Sequence, residues 1–216
     1  MAFGDVIREA TSPWTGPYGI GGDADTIWHC DYGLRKVYEL STTDLSDIRE
    51  AASPWSSPYG IGGDANTIWH CDYGLIKVYE LSTTDLSKIR EAASPARGPY
   101  GIGGDADTIW HCDDFATKVY ELSTTDLSDI REAPSPSTAP LGIGGDTNTI
   151  WHCDDAVEKV YELSTTDFSE IRSAGSPALD PYGIGGDANT IWHCNRGTNK
   201  VYELDAAVPA VGRSFG

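Results

Sequence analysis

One segment of this chain occurs five times at a fixed spacing. The tetrapeptide Ile-Trp-His-Cys begins at Ile27, and its tryptophan returns at positions 69, 110, 151 and 192, always 41 residues after the previous copy. A strict period in this range indicates a repeat fold, in which each unit buries its faces only against neighbouring units. The period therefore constrains the architecture before any single residue is interpreted.

Four short segments within each unit have the composition of β-strands. In the first unit they are strand A at residues 18–23, strand B at 26–30, strand C at 36–40 and strand D at 47–51. Aromatic and β-branched residues favour strands, and the Asp, Ser, Gly and Pro residues between the segments favour turns. Four short strands per repeat are typical of a β-propeller blade. A helical solenoid would require a 3.6-residue periodicity, which the sequence lacks.

The strand count predicts how the ring closes. Strands A, B and C occur five times, but the last unit stops after residues 201–204, and a segment that matches strand D stands at residues 5–10 instead. We therefore predict an all-β, five-bladed β-propeller with four antiparallel strands per blade, in which the N-terminal strand completes the last blade. This single domain spans residues 1–216, including a C-terminal tail at 205–216. The glycines of strand A predict that it lines the central channel, because strands without Cβ atoms approach closely.

The charge of the chain limits the kinds of partner. Its net charge is −18, with 33 acidic and 15 basic residues, which argues against nucleic acid and anionic membranes as partners. No window reaches the roughly 20 apolar residues of a membrane span, and residues 1–5 lack the features of a signal peptide. We expect a cytoplasmic monomer that binds neither nucleic acid nor membranes.

The five cysteines occupy one equivalent position in each repeat. Neighbouring copies should lie about one blade apart, beyond the roughly 7 Å Cα separation that a disulfide allows, and an odd number cannot pair completely. They are expected to be reduced, buried and structural, which also suits a reducing compartment. The residues concerned are Cys30, Cys71, Cys112, Cys153 and Cys194.

Two segments of the repeat resemble a known propeller family. Residues 17–28 read Pro-Tyr-Gly-Ile-Gly-Gly-Asp-Ala-Asp-Thr-Ile-Trp, and residues 36–40 read Lys-Val-Tyr-Glu-Leu. Both are similar to the blades of NHL-repeat and streptogramin-lyase-like propellers. The resemblance implies the architecture of every blade. That superfamily contains lactonases, lyases and non-enzymatic binding modules, and the catalytic His and Glu of streptogramin lyases have no assignable counterpart, because every histidine here belongs to the repeat.

The His-Cys pair of strand B has a catalytic and a structural interpretation. A metal site or a Cys/His nucleophile needs the two side chains to converge, but adjacent residues of a strand point to opposite faces. We therefore predict that Trp28 packs between blades and that His29 is hydrogen-bonded within or across blades. No metal and no cofactor are expected.

The turn between strands A and B is rich in carboxylates. A calcium site needs six to eight oxygen ligands, more than residues 22–26 offer. We predict a tight hairpin turn in which Asp and Asn accept backbone hydrogen bonds. The CD turn, Ser-Thr-Thr-Asp, likewise scarcely differs among the copies.

The loops joining strands B to C and D to A differ most among the copies. Because strands alternate in direction, both loops lie on one rim, which we call the BC/DA face. Either these loops drift because nothing packs on them, or they form a recognition surface on a rigid scaffold. The loops of the first two units are the most apolar and suit a sugar face or a protein partner.

Three functional hypotheses follow. The first is a non-catalytic binding or scaffold propeller that recognises a glycan or a protein through the BC/DA face, with an apolar patch of Trp14, Tyr32, Trp55 and Tyr73. The second is a lactonase- or lyase-like enzyme at the channel mouth, for which the unrepeated charged candidates are Arg35, Arg97, Glu158, Asp180 and Arg196. The third is a recently amplified or engineered scaffold without an evolved ligand. The candidate ligand-binding residues, none of them catalytic, are Trp14, Tyr32, Leu34, Arg35, Trp55, Tyr73, Leu75, Arg97 and Phe115.

Overall fold

The protein folds as five four-stranded antiparallel sheets. A computed structural model describes residues 1–206, and within that range every regular element is a strand. That part of the chain accordingly has no helix long and apolar enough to cross a membrane. Blades one to four each take four consecutive strands, β2–β5, β6–β9, β10–β13 and β14–β17, and blade five has the order β1-β20-β19-β18. The prediction of a five-bladed propeller is confirmed.

The strand bounds repeat from blade to blade with little variation. Strand A is β2 (Pro17–Gly22), β6 (Pro58–Gly63), β10 (Pro99–Gly104), β14 (Pro140–Gly145) and β18 (Pro181–Gly186). Strand B is β3 (Ile27–Asp31), β7 (Ile68–Asp72), β11 (Ile109–Asp113), β15 (Ile150–Asp154) and β19 (Thr190–Asn195). Strand C is β4 (Lys36–Leu40), β8 (Lys77–Leu81), β12 (Lys118–Leu122), β16 (Lys159–Leu163) and β20 (Lys200–Asp205). Strand D is β5 (Asp47–Ala52), β9 (Lys88–Ala93), β13 (Asp129–Pro134), β17 (Glu170–Gly175) and β1 (Val6–Thr11).

The N-terminal strand closes the ring as predicted. Strand β1 pairs antiparallel with β20, from Val6 opposite Leu204 to Thr11 opposite Lys200. The strand begins one residue later than the predicted segment, and β20 includes Asp205, which the sequence had placed in the tail. Ala206, also placed in the tail, is buried in a core cluster, and residues 207–216 of the predicted tail lie outside the described residues.

The A strands lie side by side around the axis, in contact through their glycines. A Cβ atom on Gly21 would lie 3.0 Å from the Cα of Gly62 in the next blade, and one on Gly19 only 2.7 Å from the backbone nitrogen of Ile61. Between the described A strands there is no room for a water molecule. Strand A therefore lines the axis, as predicted, but the axis is closed rather than an open channel.

The hydrophobic core lies between blades. One face of blade one packs against the facing side of blade two. Blade one contributes Trp28, Cys30 and Val37. Blade two contributes Ile61, Ile68, Tyr79, Leu81 and Leu86. The indole Nε1–H of Trp28 also donates a hydrogen bond of 3.0 Å to the backbone oxygen of Asp64 in blade two. These contacts recur around the ring, so the prediction that the tryptophans pack between blades is confirmed.

The AB turn is a tight hairpin organised by a single carboxylate. Asp23 Oδ1 accepts hydrogen bonds from the backbone N–H groups of Asp25 and Thr26, at 2.9 and 2.8 Å. Asp25 donates only its backbone N–H to this bond. Asn66, the equivalent residue in blade two, donates its backbone N–H in the same way, so either side chain suits the turn. The predicted hairpin turn is confirmed, and its acceptor is the first Asp of the turn.

The CD turn is held by the preceding blade. The guanidinium of Arg49 in β5 donates to the backbone oxygens of Thr83 and Thr84, which belong to the CD turn of blade two. Because the AB and CD turns both bond to a neighbouring blade, their constancy among the repeats has a structural reason.

Candidate functional site

The repeated histidines and cysteines are buried in every blade. His29 is fully buried, its Nδ1 lies 2.7 Å from the Gly19 backbone oxygen and its Nε2 lies 3.1 Å from Ser12 Oγ. Burial lowers the pKa of His29 to about 4 and raises the pKa of the Cys30 thiol well above its ordinary value. Cys30 faces the next blade, away from His29. The predicted hydrogen bonding of His29 and the predicted free, buried state of the cysteines are both confirmed. Among the described residues, no group of three or more His, Cys, Asp or Glu side chains is placed to hold a metal ion.

A buried carboxylate holds the BC and DA loops together in blades one to four, and blade five has Asn195 at this position. Asp31 accepts hydrogen bonds from the backbone N–H of Gly16 in the DA loop, at 2.8 Å, and of Leu34 in the BC loop, at 2.7 Å. The N–H of Tyr32 donates to the Gly16 backbone oxygen at 3.0 Å. The aspartates at this position in blades two to four accept the same pair of bonds. The two loops therefore keep one backbone arrangement while their outward side chains change.

Tyrosines from strand A surround the axis on the BC/DA face. The ring centroids of Tyr18 and Tyr59 are 4.7 Å apart, those of Tyr59 and Tyr100 are 4.7 Å apart, and those of Tyr18 and Tyr182 are 4.6 Å apart. Blade four has Leu141 at this position. These tyrosines are not among the residues predicted from the sequence, because a residue present in four of five copies is typical of a structural position. The single change to leucine was the available signal.

Two of the predicted ligand-binding residues extend this ring of tyrosines. Tyr32 stacks on Tyr18 with centroids 5.0 Å apart, and Tyr73 stacks on Tyr59 at 4.8 Å. Each also lies edge-on to the tyrosine of the following blade, at 5.6 and 5.5 Å. We call these six residues the tyrosine cluster: Tyr18, Tyr32, Tyr59, Tyr73, Tyr100 and Tyr182.

The two tryptophans of the DA loops are exposed on the same BC/DA face as this cluster. Trp14 is 50% exposed and Trp55 is 53% exposed. Trp14 lies against the BC loop of its own blade, where its Cδ1 would be 3.7 Å from a Cβ atom on Gly33. Among the described residues, no ring contact joins Trp14 and Trp55 to each other or to the tyrosine cluster. Of the predicted apolar patch, the structure therefore joins Tyr32 and Tyr73 through Tyr59 and leaves the two tryptophans separate. The other predicted residues, Leu34, Arg35, Leu75, Arg97 and Phe115, are all exposed on BC or DA loops.

The opposite side of the tyrosine cluster is charged. Where blades one and two have Tyr32 and Tyr73, blades three to five have Asp114, Asp155 and Arg196. Burial, reinforced by neighbouring carboxylates, raises the pKa of Asp114 and of Asp155. Arg196 was predicted from the sequence as a candidate, but neither aspartate was, because their proximity depends on how neighbouring blades pack.

Arg196, on the charged side, contacts two residues of the tyrosine cluster. Its Nη1 donates a hydrogen bond of 2.8 Å to the Tyr182 hydroxyl. Its guanidinium carbon lies 5.5 Å from the ring centroid of Tyr18 and 5.3 Å from that of Tyr182. The face around the axis is thus aromatic toward blades one and two and charged toward blades three to five.

Comparison with known proteins supports the fold. No protein family model matches the chain, and no curated protein sequence matches it. Among solved structures, glutaminyl cyclase from Myxococcus xanthus is similar with a TM-score of 0.75 and 11% identity, over 93% of this chain and 96% of that chain. The chain is a five-bladed β-propeller.

Streptogramin lyases are also among the similar structures, as the resemblance implied. A streptogramin B lyase gives a TM-score of 0.55 and 19% identity, over 90% of this chain and 66% of that chain. A catalytically inactive virginiamycin B lyase from Staphylococcus aureus with quinupristin gives 0.55 and 21%, over 90% and 67%. At these identities the likeness shows a shared propeller fold.

Proposed function

We propose that this propeller is a non-catalytic binding module that recognises a glycan or a protein through its BC/DA face. The observation that supports this function is the tyrosine cluster, together with the half-exposed Trp14 and Trp55 on the DA loops of blades one and two. Tyrosine and tryptophan present a large apolar surface with few rotatable bonds, and they are enriched among residues that dominate binding energy.

The backbone beneath these side chains favours recognition over drift. Asp31 and Asp72 already satisfy the loop N–H groups, so the exposed rings of Trp14 and Trp55 are not needed to form the loops. A surface that is ordered before binding loses less conformational entropy when a ligand arrives. The loops therefore have the character of a preformed binding surface on a rigid scaffold.

A double substitution tests this function. In Trp14→Ala/Trp55→Ala, folding should be retained, because both rings are half-exposed. Glycan-array binding or protein capture shown by the parent should fall by at least about tenfold, as expected when central aromatic contacts are truncated. The matched control is Ile48→Ala/Ile89→Ala, which removes two side chains that are 58% exposed on strand D. A folded Trp14→Ala/Trp55→Ala variant that keeps every interaction of the parent would contradict the proposal.

An enzyme acting beside the closed axis is the second candidate. It is favoured by the two partly buried aspartates with raised pKa values, Asp114 and Asp155, because perturbed carboxyls of this kind serve as general acids or bases. The solved structures that resemble this chain include a cyclase and lyases. The test is turnover of a panel of lactones by the parent and by Asp155→Asn. Turnover that Asp155→Asn abolishes and Trp14→Ala/Trp55→Ala retains would favour the enzyme.

A further inference from the structure

Blades one and two present the same exposed side chains. Each has a tryptophan on its DA loop, followed by a tyrosine and a leucine on its BC loop. The two tryptophans are 50% and 53% exposed, the two tyrosines are both 41% exposed, and the two leucines are both 39% exposed. The first set is Trp14, Tyr32 and Leu34, and the second is Trp55, Tyr73 and Leu75.

The backbone beneath the two sets is also the same. Asp31 accepts its two loop hydrogen bonds at 2.8 and 2.7 Å, and Asp72 accepts the corresponding bonds at 2.7 and 2.8 Å. The N–H groups of Tyr32 and Tyr73 each donate to the DA loop at 3.0 Å. The two surfaces are therefore copies of one another in side chains and in support.

This set of side chains is confined to the first two blades. Blades three and four keep the same loop framework, and blade five has Asn195 in place of the buried aspartate. All three blades lack both the tryptophan and the BC-loop tyrosine. The corresponding triplets are Ala96, Asp114 and Ala116 in blade three, Ser137, Asp155 and Val157 in blade four, and Ala178, Arg196 and Thr198 in blade five. The surface thus occurs twice, in adjacent blades of one rigid ring.

The chemistry of the paired surfaces fits a neutral sugar. Exposed aromatic rings present apolar faces that pack on the C–H face of a pyranose, and the neighbouring exposed hydroxyls of Thr15 and Ser56 supply polar groups on the same loops. The net charge of −18, together with Asp114 and Asp155 on the opposite side of the tyrosine cluster, disfavours binding of an anionic polymer. The two surfaces share their tryptophan, tyrosine and leucine and differ at Thr15/Ser56, Gly16/Ser57 and Arg35/Ile76. Two similar surfaces one blade apart match an occupant that repeats, as a polysaccharide does.

We infer that blades one and two form two equivalent saccharide subsites that bind two sugar units of one neutral polysaccharide chain. This inference rests on the proposed binding function and specifies its ligand class and its valency. Because the second contact is intramolecular once the first has formed, simultaneous engagement raises affinity by roughly 100-fold or more over a single subsite.

The probes are five neutral hexasaccharides, namely cellohexaose, laminarihexaose, maltohexaose, mannohexaose and chitohexaose, each with its monosaccharide. Binding is measured by titration calorimetry and by tryptophan fluorescence, and the number of bound monosaccharides by native mass spectrometry. At least one hexasaccharide should bind one per chain, and its monosaccharide should bind two per chain. Trp14→Ala and Trp55→Ala should each weaken hexasaccharide binding by a similar factor of at least about tenfold.

A gain-of-function variant gives a test that does not depend on removing a tryptophan. Ala96→Trp/Asp114→Tyr/Ala116→Leu places the same side chains on the unchanged loop framework of blade three. Native mass spectrometry should then show three bound monosaccharides instead of two, whereas Ala96→Ser, a matched control, should still show two.

Three results would overturn the inference. They are the absence of binding by all five hexasaccharides, a strong effect of one tryptophan variant with no effect of the other, and a blade-three variant that folds but binds no additional monosaccharide. Capture of a protein that both tryptophan variants abolish, without hexasaccharide binding, would overturn the saccharide subsites and leave the proposed binding function intact. A parent protein that neither binds a hexasaccharide nor captures a protein would contradict the binding function itself.

Discussion

At the scale of single residues, the fold depends on buried polar side chains whose hydrogen bonds are all satisfied. His29 joins Gly19 of its own blade to Ser12, which follows the closing strand, and Asp31 joins two loops. Within residues 1–206, no buried side-chain nitrogen or oxygen lacks a hydrogen-bond partner. Because an unpaired buried polar atom is costly, these bonds specify one arrangement of each blade.

The buried histidines predict a steep loss of stability in mild acid. Burial lowers the pKa of all five rings to about 4, whereas the ordinary value in an unfolded chain is about 6.5. Between these values the unfolded chain binds more protons than the native protein does. The histidine contribution to the free energy of unfolding is therefore fully present above the unfolded pKa and is lost as the pH falls toward the folded pKa.

Denaturant unfolding between about pH 7 and pH 5.5 measures this effect, since each proton taken up contributes about 1.4 kcal/mol per pH unit. The slope should approach the uptake of five protons, one for each histidine. His29→Gln should lower the uptake by one proton, whatever its effect on stability at neutral pH. The raised pKa values of Asp114 and Asp155 act in the opposite direction at lower pH, which is why the measurement stops above that range. An uptake below one proton would contradict the prediction.

At the scale of elements, one arginine of strand D couples neighbouring blades. Arg90 in β9 forms an ion pair with Glu80 in β8 and lies over the ring of Trp69, 5.8 Å from its centroid. It also donates to the backbone oxygens of Thr124, at 2.6 Å, and Thr125 in the CD turn of blade three. A single side chain thus joins two strands to the turn of the next blade.

Where the chain termini interrupt the last CD turn, other residues take over this role. Arg172 of β17 donates to the backbone oxygen of Ala206 at 2.9 Å and lies over Phe3, 4.2 Å from its ring centroid. Phe3 in turn stacks on Trp151 at 5.8 Å. Arg172 therefore contacts Ala206 near one end of the described chain and Phe3 near the other, in place of a continuous CD turn.

Replacing Arg90 by lysine should lower the free energy of unfolding by about 1–3 kcal/mol, because lysine cannot bond to two carbonyls and the carboxylate in the planar geometry of a guanidinium. Urea unfolding measures the loss. The matched control is Arg97→Lys on an exposed DA loop, where a change within about 0.5 kcal/mol is expected for a surface substitution. Equal effects of the two variants would show that the bonds of Arg90 to blade three do not stabilise the ring.

At the scale of the whole molecule, closure makes the last blade equivalent to the others. Arg8 of β1 pairs with Glu203 and donates to the backbone oxygens of Thr42 and Thr43, as Arg49 does one blade later. Without β1, strand β20 would present an unpaired edge, which promotes aggregation. The stability of the ring is therefore expected to depend on this one strand.

Deletion of residues 1–11 should cause aggregation or a large loss of stability, and a circular permutant should restore the parent behaviour. The permutant consists of residues 12–204, a copy of the CD turn at residues 41–46, and residues 6–11, so that strand D of blade five becomes continuous with its blade. Size-exclusion chromatography with light scattering and urea unfolding compare the three proteins. A deletion variant that stays monodisperse and as stable as the parent would refute the role of β1 in closure.

The sequence by itself determined the blades and their closure. The 41-residue period and the strand pattern are local and led to the five blades. Closure pairs distant residues, but counting the strands of each repeat showed that the last unit lacked strand D and that the N-terminus supplied it. The alternation of strand B likewise placed Trp28 and His29 on opposite faces, where the structure has them. Patterns within one repeat are local, so the sequence displays them directly.

Only the tertiary structure decided which residues of different blades meet on the BC/DA face. Tyr18 and Tyr59 are 41 residues apart in the sequence, yet their rings lie 4.7 Å apart. The same convergence places Asp155 near the carboxylate of Asp180, which contributes to its raised pKa. These contacts depend on how closely the A strands approach the axis, a property of the closed ring that no repeat contains alone.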